Sequence, residues 1–470
     1  MIIYQPFFII TSQLICNLSS LSISFIIIHL PPLLFPTPTK NCHTGFSLST
    51  VTGDQQYIKA SSKYFAVALF GGGGLVYVGR HDRPGRFVPG STPTLHGHLG
   101  AILDFEWSPF DDSMLATASE DTTIKLWSIP QDWEPINERG VSKEGLDITD
   151  SVVDLVGHSK KVNLLRFHPT ASNVLASTSS DYTVKIWDVE VSHELTTFTE
   201  MQDLCHDIVW DYRGDNYATA CKDKAVRFVD ARTSRVTARI GQAHDGVKGV
   251  KVVYMGETSK VLTTGHSKGT GREVKIWDLR SLDNGPMHTE SIDTAAGVLM
   301  PMYDVDTNVV YLCGKGDGNI RVCEFEDEAP YFHRLNEGFR STTALKGACM
   351  VPKRGLDIMK CESARLLKVT NEAGIQPLSF YVPRKSDAFQ PDIFPNTASG
   401  IPAHTAEEWW GGSSKGPELE SLNPAIANAK KGGAKKKFAS VGTLSVSLNT
   451  AEARIKYLEG LLDGAGINYD

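Results

Sequence analysis

One spacing recurs in this chain and constrains it more than any other feature. Gly97-His98 is followed by Ser119, Asp121 and Leu126-Trp127; Gly157-His158 is followed by Ser179, Asp181 and Ile186-Trp187-Asp188. The His-to-Trp distance is 29 residues in both copies, and the Asp-to-Trp distance is 6 in both. Two full copies at identical spacing mean that one structural unit is used again. Weaker copies follow. Asp223 leads to Phe228-Val229-Asp230 with Val where Trp stood, His244 heads a unit ending Lys275-Ile276-Trp277-Asp278, and Asp317 precedes Asn319-Ile320-Arg321-Val322-Cys323.

This is the WD-repeat signature, in which each unit of about 40–45 residues is a four-stranded blade. Its chemistry is structural. His98, Ser119, Asp121 and Trp127, and likewise His158, Ser179, Asp181 and Trp187, are expected to form buried hydrogen-bond chains that tie strands to turns. A catalytic pairing of His98 with Asp121 is the poorer reading, because the same residues return where only packing is needed. Strand patterns agree. Val67-Ala68-Leu69 and Leu75-Val76-Tyr77-Val78 flank the turn Gly71 to Gly74, and residues 102–107 and 162–167 read as equivalent inner strands. Residues 54–355 span about 300 positions, which predicts an all-β propeller of about seven blades.

The flanks differ. Residues 1–53 are atypical, and 1–39 contain no Asp, Glu, Lys or Arg. Phe7 to Phe35 is rich in Ile, Leu and Phe, but no basic segment precedes it and Pro31, Pro32 and Pro36 close it. Three readings stay open: a mis-assigned start, a membrane or signal segment, and a disordered arm. Residues 356–425 read as an extension packed on the ring through Phe380, Phe389, Phe394, Trp409 and Trp410. Residues 426–447 read as a linker carrying Lys430, Lys431, Lys435, Lys436 and Lys437. Residues 448–470 read as a short coiled-coil helix, with Leu448, Ala451, Ile455, Leu458 and Leu462 at a and d spacing.

Composition removes whole classes. A net charge of −7 argues against a general nucleic-acid binder. Eight cysteines without a Cys-x-x-Cys pair suit a reduced, intracellular chain. Gly71 to Gly74 lacks the Gly-Lys-Ser/Thr ending of a phosphate loop, His96 and His98 have no third ligand nearby in sequence, and no Gly-x-Ser-x-Gly elbow occurs. No enzyme activity, cofactor or metal is expected.

Beyond the generic repeat, several segments resemble the coronin family of actin-binding WD-repeat proteins. They are Gln242-Ala243-His244-Asp245-Gly246-Val247-Lys248, Gly297-Val298-Leu299, the run Asp304 to Asp317, Asp327-Glu328-Ala329-Pro330-Tyr331, Pro352 to Asp357, Lys360-Cys361-Glu362, Val382 to Asp387 and Glu407-Glu408-Trp409. The resemblance runs from about Asp54 to Leu422. It implies a cytoplasmic, cytoskeletal adaptor that binds actin filaments and influences the branching complex of actin-related proteins and cofilin. Two departures stand out. Nothing in residues 1–53 matches the family's basic start, which helps close the ring and contributes to filament binding. The tail is also short, although Arg454, Ile455, Leu458, Glu459 and Leu462 resemble a trimer-favouring pattern that would make a homo-oligomer. Candidate actin contacts are Lys160, Lys161, Lys222, Lys224, Arg227, Arg384 and Lys385, because filaments are acidic. A generic WD-repeat scaffold and a membrane-anchored propeller are the alternatives.

Overall fold

The computed structural model describes residues 42–426, apart from 52, 146, 270, 336–337, 371–373 and 387. The expected apolar N-terminal run, the Lys-rich linker and the coiled-coil helix with Arg454, Ile455, Leu458, Glu459 and Leu462 lie outside the described residues.

Seven antiparallel sheets follow one another along the chain as the blades of a propeller. Blade 1 has strands Ile58–Ala60, Tyr64–Ala68 and Val76–Arg80. Blade 2 begins at Ile102–Trp107 and ends at Val153–Leu155, blade 3 runs from Val162–Phe167 to His193–Phe198, and blade 4 from Cys205–Trp210 to Arg235–Ile240. Blade 5 spans Lys251–Tyr254 to His288–Asp293, blade 6 Leu299–Asp304 to Phe332–Arg334, and blade 7 Leu345–Met350, Glu362–Thr370 and Ile375–Tyr381. The inner strands expected at 102–107 and 162–167 are present at those bounds.

The strands form where β-branched and aromatic residues cluster between polar turns. The second strands are almost entirely buried, Val174–Ser179 along its whole length, because neighbouring blades cover both faces. Apolar clusters therefore sit between blades. Leu164, Val174 and Ile186 of blade 3 pack with Ile208, Trp210 and Tyr217 of blade 4.

Two expected boundaries shift. Residue 355, the expected end of the propeller, falls between the first and second strands of blade 7, and Glu362–Thr370 is the central strand of that sheet. The ring also takes in residues before 54. His43 donates to Ile375 O at 3.1 Å and accepts from Ile375 N at 2.8 Å, on the outer edge of blade 7. Phe46 is buried against Tyr77 and Phe87 of the blade 1 region. So a segment without the family's basic pattern still bridges the first and last blades. Gly347 permits this seam. A Cβ there would lie 1.9 Å from Gln56 O, so a larger residue would push blade 7 off the lead-in to blade 1.

Inner strands of five blades carry alternating charges toward the axis. Lys59 pairs with Asp104 at 3.0 Å and Glu106 at 2.6 Å; Arg166 reaches Asp104 at 3.5 Å, Glu106 at 3.2 Å and Asp207 at 3.4 Å; Lys251 lies 3.8 Å from Asp207. Asp104 and Asp207 also accept backbone N–H bonds from Leu165 and Val252 of the next blade. Each buried carboxylate thus has several donors, the condition under which buried charge is tolerated.

Because successive strands are antiparallel, turns alternate between two faces. The blade-to-blade connections and the turns between second and third strands share an upper face. The remaining turns share a lower face. The C-terminal extension crosses the lower face: Ser172 N donates to His404 O and Ala403 N to Thr170 O. It carries a capped helix, Ala406–Trp410, where the Thr405 side chain and Glu408 form a capping box.

Candidate functional site

The repeated polar residues do meet, with one change of partner. In blade 2, His98 Nδ1 lies 2.8 Å from Asp121, and His98 Nε2 lies 2.8 Å from Thr117 Oγ1. Trp127 Nε1 donates to that same hydroxyl at 2.9 Å. In blade 3, His158 lies 3.0 Å from Asp181 and 2.7 Å from Ser177, which accepts from Trp187 at 2.8 Å. Blade 5 repeats the chain as His244, Glu273, Thr263 and Trp277, at 2.8, 2.9 and 2.9 Å.

Ser119 and Ser179 are therefore not the links between His and Trp. Each accepts from the backbone N–H of the following Asp, at 3.2 and 3.1 Å, and holds the turn. The linking hydroxyl stands two residues earlier, at Thr117 and Ser177. Residues i and i+2 of a strand share a face, so both hydroxyls stand on the same side and only the cross-strand geometry separates them.

One protonation pattern satisfies every member. Trp donates to the hydroxyl, the hydroxyl donates to Nε2, and Nδ1–H donates to the carboxylate, so the imidazole is neutral. Burial lowers the pKa of His98 and His158, and the adjacent carboxylates only partly oppose it. Burial takes His244 down to about 4. For Asp121, burial would raise the carboxyl, but hydrogen bonds from the Thr123 side chain and backbone and from Leu99 N–H, with the electrostatic effect of the adjacent His98, hold it at about 2.

Blade 4 has lost this chain. Met201 stands at the His position and Val229 at the Trp position, and Arg227 pairs with Asp223 at 2.5 Å. Arg227 is 3% exposed. This corrects its expected place among surface contacts, since an ion pair replaces the blade's His-Trp link.

The other basic candidates divide between the faces. Lys160 and Lys161 are exposed in the connection entering blade 3, with Lys160 5.8 Å from the Tyr182 ring. Lys222 is exposed and Lys224 half-buried in the blade 4 turn, where Lys224 takes φ 68° and donates to Asp245 O at 2.6 Å. These four belong to the upper face, with exposed Lys248 and Lys268 of blade 5 beyond them. Leu99 and Val247 on the same face are 95% and 86% exposed. Arg384, paired with Asp392, and Lys385 follow blade 7 on the lower side and do not join this group.

The lower face carries the anchor expected at Trp409. Trp409 is fully buried beside His168 and Trp210, at ring distances of 4.7 and 6.1 Å. Arg232 of blade 4 lies 5.0 Å over the Trp409 ring and donates to Trp409 O at 2.8 Å and Ser413 O at 2.7 Å. This clamp fixes the extension to blades 3 and 4. Of the other expected anchors, Phe394 is buried in the cluster of blades 6 and 7, whereas Trp410 is 38% exposed. On blade 6, Glu324, Glu326 and His333 bring potential metal-ligand atoms within 4.8 Å of one another, with His333 and Glu324 already 3.2 Å apart. Among the described residues, no helix is long and apolar enough to cross a membrane.

Seven blades with three intact His-to-Trp chains define a WD-repeat β-propeller, a scaffold fold whose accessible chemistry lies in its turns. The "WD domain, G-beta repeat" pattern matches residues 90–128 and 150–188, a "Type of WD40 repeat" matches 375–417, and a domain of unknown function matches 35–86. The last match covers much of the segment that bridges the blades. Human Coronin-2A is 36% identical over 397 residues, 83% of this chain and 73% of that protein. The coronin-like protein crn1 of Schizosaccharomyces pombe is 37% identical over 81% of this chain, but only 62% of its own length is matched. The crystal structure of the WD40 domain from Toxoplasma gondii coronin superposes with a TM-score of 0.77 at 32% identity, covering 84% of this chain and 98% of that one. The chain belongs to the coronin family.

Proposed function

We propose that this protein binds the sides of actin filaments through its upper face and acts as a cytoskeletal adaptor. The observation that carries this reading is the arc of Lys160, Lys161, Lys222 and Lys224 on adjacent blades 3 and 4, on the face that the C-terminal extension leaves open. Family membership supplies the partner. The charge supplies attraction to an acidic filament, strongest at low salt because the screening length is about 10 Å at 0.1 M. Exposed Leu99 and Val247 add apolar surface on the same face. Arg384 and Lys385 are assigned a separate, lower-face contact. Influence on the branching complex and cofilin follows from filament occupancy in this reading, and self-association through the tail raises avidity without new contacts.

Co-sedimentation with actin filaments across a salt series tests it. Binding is expected to weaken with salt, and Lys160→Glu with Lys161→Glu is expected to lower affinity about tenfold at low salt, about 1.4 kcal/mol. A folded chain that fails to sediment with filaments, or a variant that binds as the parent does, overturns the assignment. Recovery of one other complex without actin would favour the generic scaffold.

A further inference from the structure

Blade 4 places two thiols opposite each other. Cys205 on its first strand and Cys221 on its second are register partners. Directly opposed residues of an antiparallel pair have Cα atoms about 4.5–5.5 Å apart, inside the range a disulfide spans. The sister blades show that the pair is specific to this blade. The matching partners are Ile102 with Ser119 in blade 2 and Val162 with Ser179 in blade 3. We propose that Cys205 and Cys221 form a reversible cross-strand disulfide when the protein meets a hydroperoxide.

The surroundings support this chemistry. Arg227, which replaces the blade's His-Trp link, is near Cys221, and it also lines a cavity of about 460 Å³ together with Met201, Gln202, Val236 and Arg239. Neither cysteine lines that cavity, so a small polar oxidant reaches the pair past Arg227 in this proposal. The hydrogen bond with Cys205 and then the Arg227 charge lower the Cys221 thiol against the effect of burial. A lowered thiol offers more thiolate, the attacking form. Cys221 attacks one peroxide oxygen, the O–O bond breaks, and one water leaves a sulfenic acid behind. Cys205 then attacks that sulfur, the S–O bond breaks and a second water leaves. Two thiols lose two electrons and two protons in total, and hydrogen peroxide is reduced to two waters. Lys222 N donates to Leu204 O at 2.8 Å immediately beside the pair, so the bond would staple the base of the upper-face turn.

The test treats the folded full chain with hydrogen peroxide, blocks remaining thiols by alkylation, digests with trypsin and weighs the peptides. Cleavage after Lys185, Arg213 and Lys222 separates the cysteines into peptides 186–213 and 214–222. The expected product is these two joined, two hydrogens lighter than their sum, and parted by dithiothreitol. It should be absent from Cys205→Val and Cys221→Ser, replacements that the sister blades already carry at these positions. Cys42, which is partly exposed, reports that the oxidant acted. Recovery of Cys205 and Cys221 on separate peptides, alkylated or singly oxidised, while Cys42 is oxidised would overturn the proposal.

Discussion

Replacing Thr117 by Val removes one hydroxyl and almost no volume. That hydroxyl accepts from Trp127 Nε1 at 2.9 Å and pairs with His98 Nε2 at 2.8 Å, and Trp127 is 1% and His98 2% exposed. The substitution leaves a donor and an acceptor buried without partners, each costing about 1–3 kcal/mol, so a loss of about 2–6 kcal/mol is expected. Ser119→Ala removes only the acceptor of the Asp121 N–H bond, and the expected loss is about 0.5–1.5 kcal/mol. Urea unfolding followed by circular dichroism gives both values, with unchanged slopes showing that stability alone has moved. A double-mutant cycle sharpens the test. In a Trp127→Phe background the indole donor is already gone, so Thr117→Val should cost at least about 1 kcal/mol less. If Ser119→Ala costs as much as Thr117→Val, or the cycle is additive, the assignment of the linking hydroxyl is refuted.

Acid should unfold the protein sooner than its carboxylates alone dictate. Folded His244 is held at about 4 against an ordinary 6.5, so between those values the unfolded chain takes up a proton that the folded chain refuses. Stability is then full above pH 6.5 and falls toward pH 4, by about 3 kcal/mol from this residue; denaturant midpoints unchanged between pH 7 and pH 4.5 would contradict it. Asp121 and Asp181, at about 2, add their losses only below the ordinary 3.8. Trp409→Ala should cost about 3–5 kcal/mol in docking of the extension. Limited proteolysis then cuts within residues 382–413 faster than in the parent, while equal rates would remove the clamp's assigned role.

What was legible in the sequence follows from periodicity. The His-Asp-Trp spacing places turns and third strands, and the alternation in 102–107 and 162–167 places inner strands. Register was not legible, because a hydroxyl at i and another at i+2 look alike until the cross-strand partner is known. Arg227 misled for a related reason. It lies four residues after Asp223, as Lys125 does after Asp121 and Lys185 after Asp181, but only the loss of His and Trp turns its side chain inward. That loss was visible at Val229 and could have flagged it. Blade 7 carries no His-to-Trp spacing, so its strands beyond residue 355 read as part of the extension. The axial charges were visible singly as Lys59, Asp104, Glu106, Arg166, Asp207 and Lys251 on the inner strands of blades 1 to 5, yet nothing in one strand says that it faces the next.

Those axial charges also explain why both ends of the chain matter to the ring. The alternating ion chain links blades 1 to 5 and stops where the inner strands of blades 6 and 7 carry Met300 and Gly347 at the matching register instead. The gap between blade 5 and blade 1 has no such stitch and is held by other means. Tyr57, just before blade 1, is flanked by Lys315 of blade 6 at 4.9 Å and Lys346 of blade 7 at 5.2 Å. Lys315 also donates to Gly53 O, and Lys346 donates to Ser49 O at 2.6 Å. On the other face Ile393 and Phe394 of the extension enter the core shared by blades 6 and 7. The blades without axial charges are thus the ones covered by the N-terminal segment above and the C-terminal extension below. Blades 3 and 4, tied through the axis by Arg166 and beneath by Trp409, keep Lys160, Lys161 and Lys222 exposed in their upper turns.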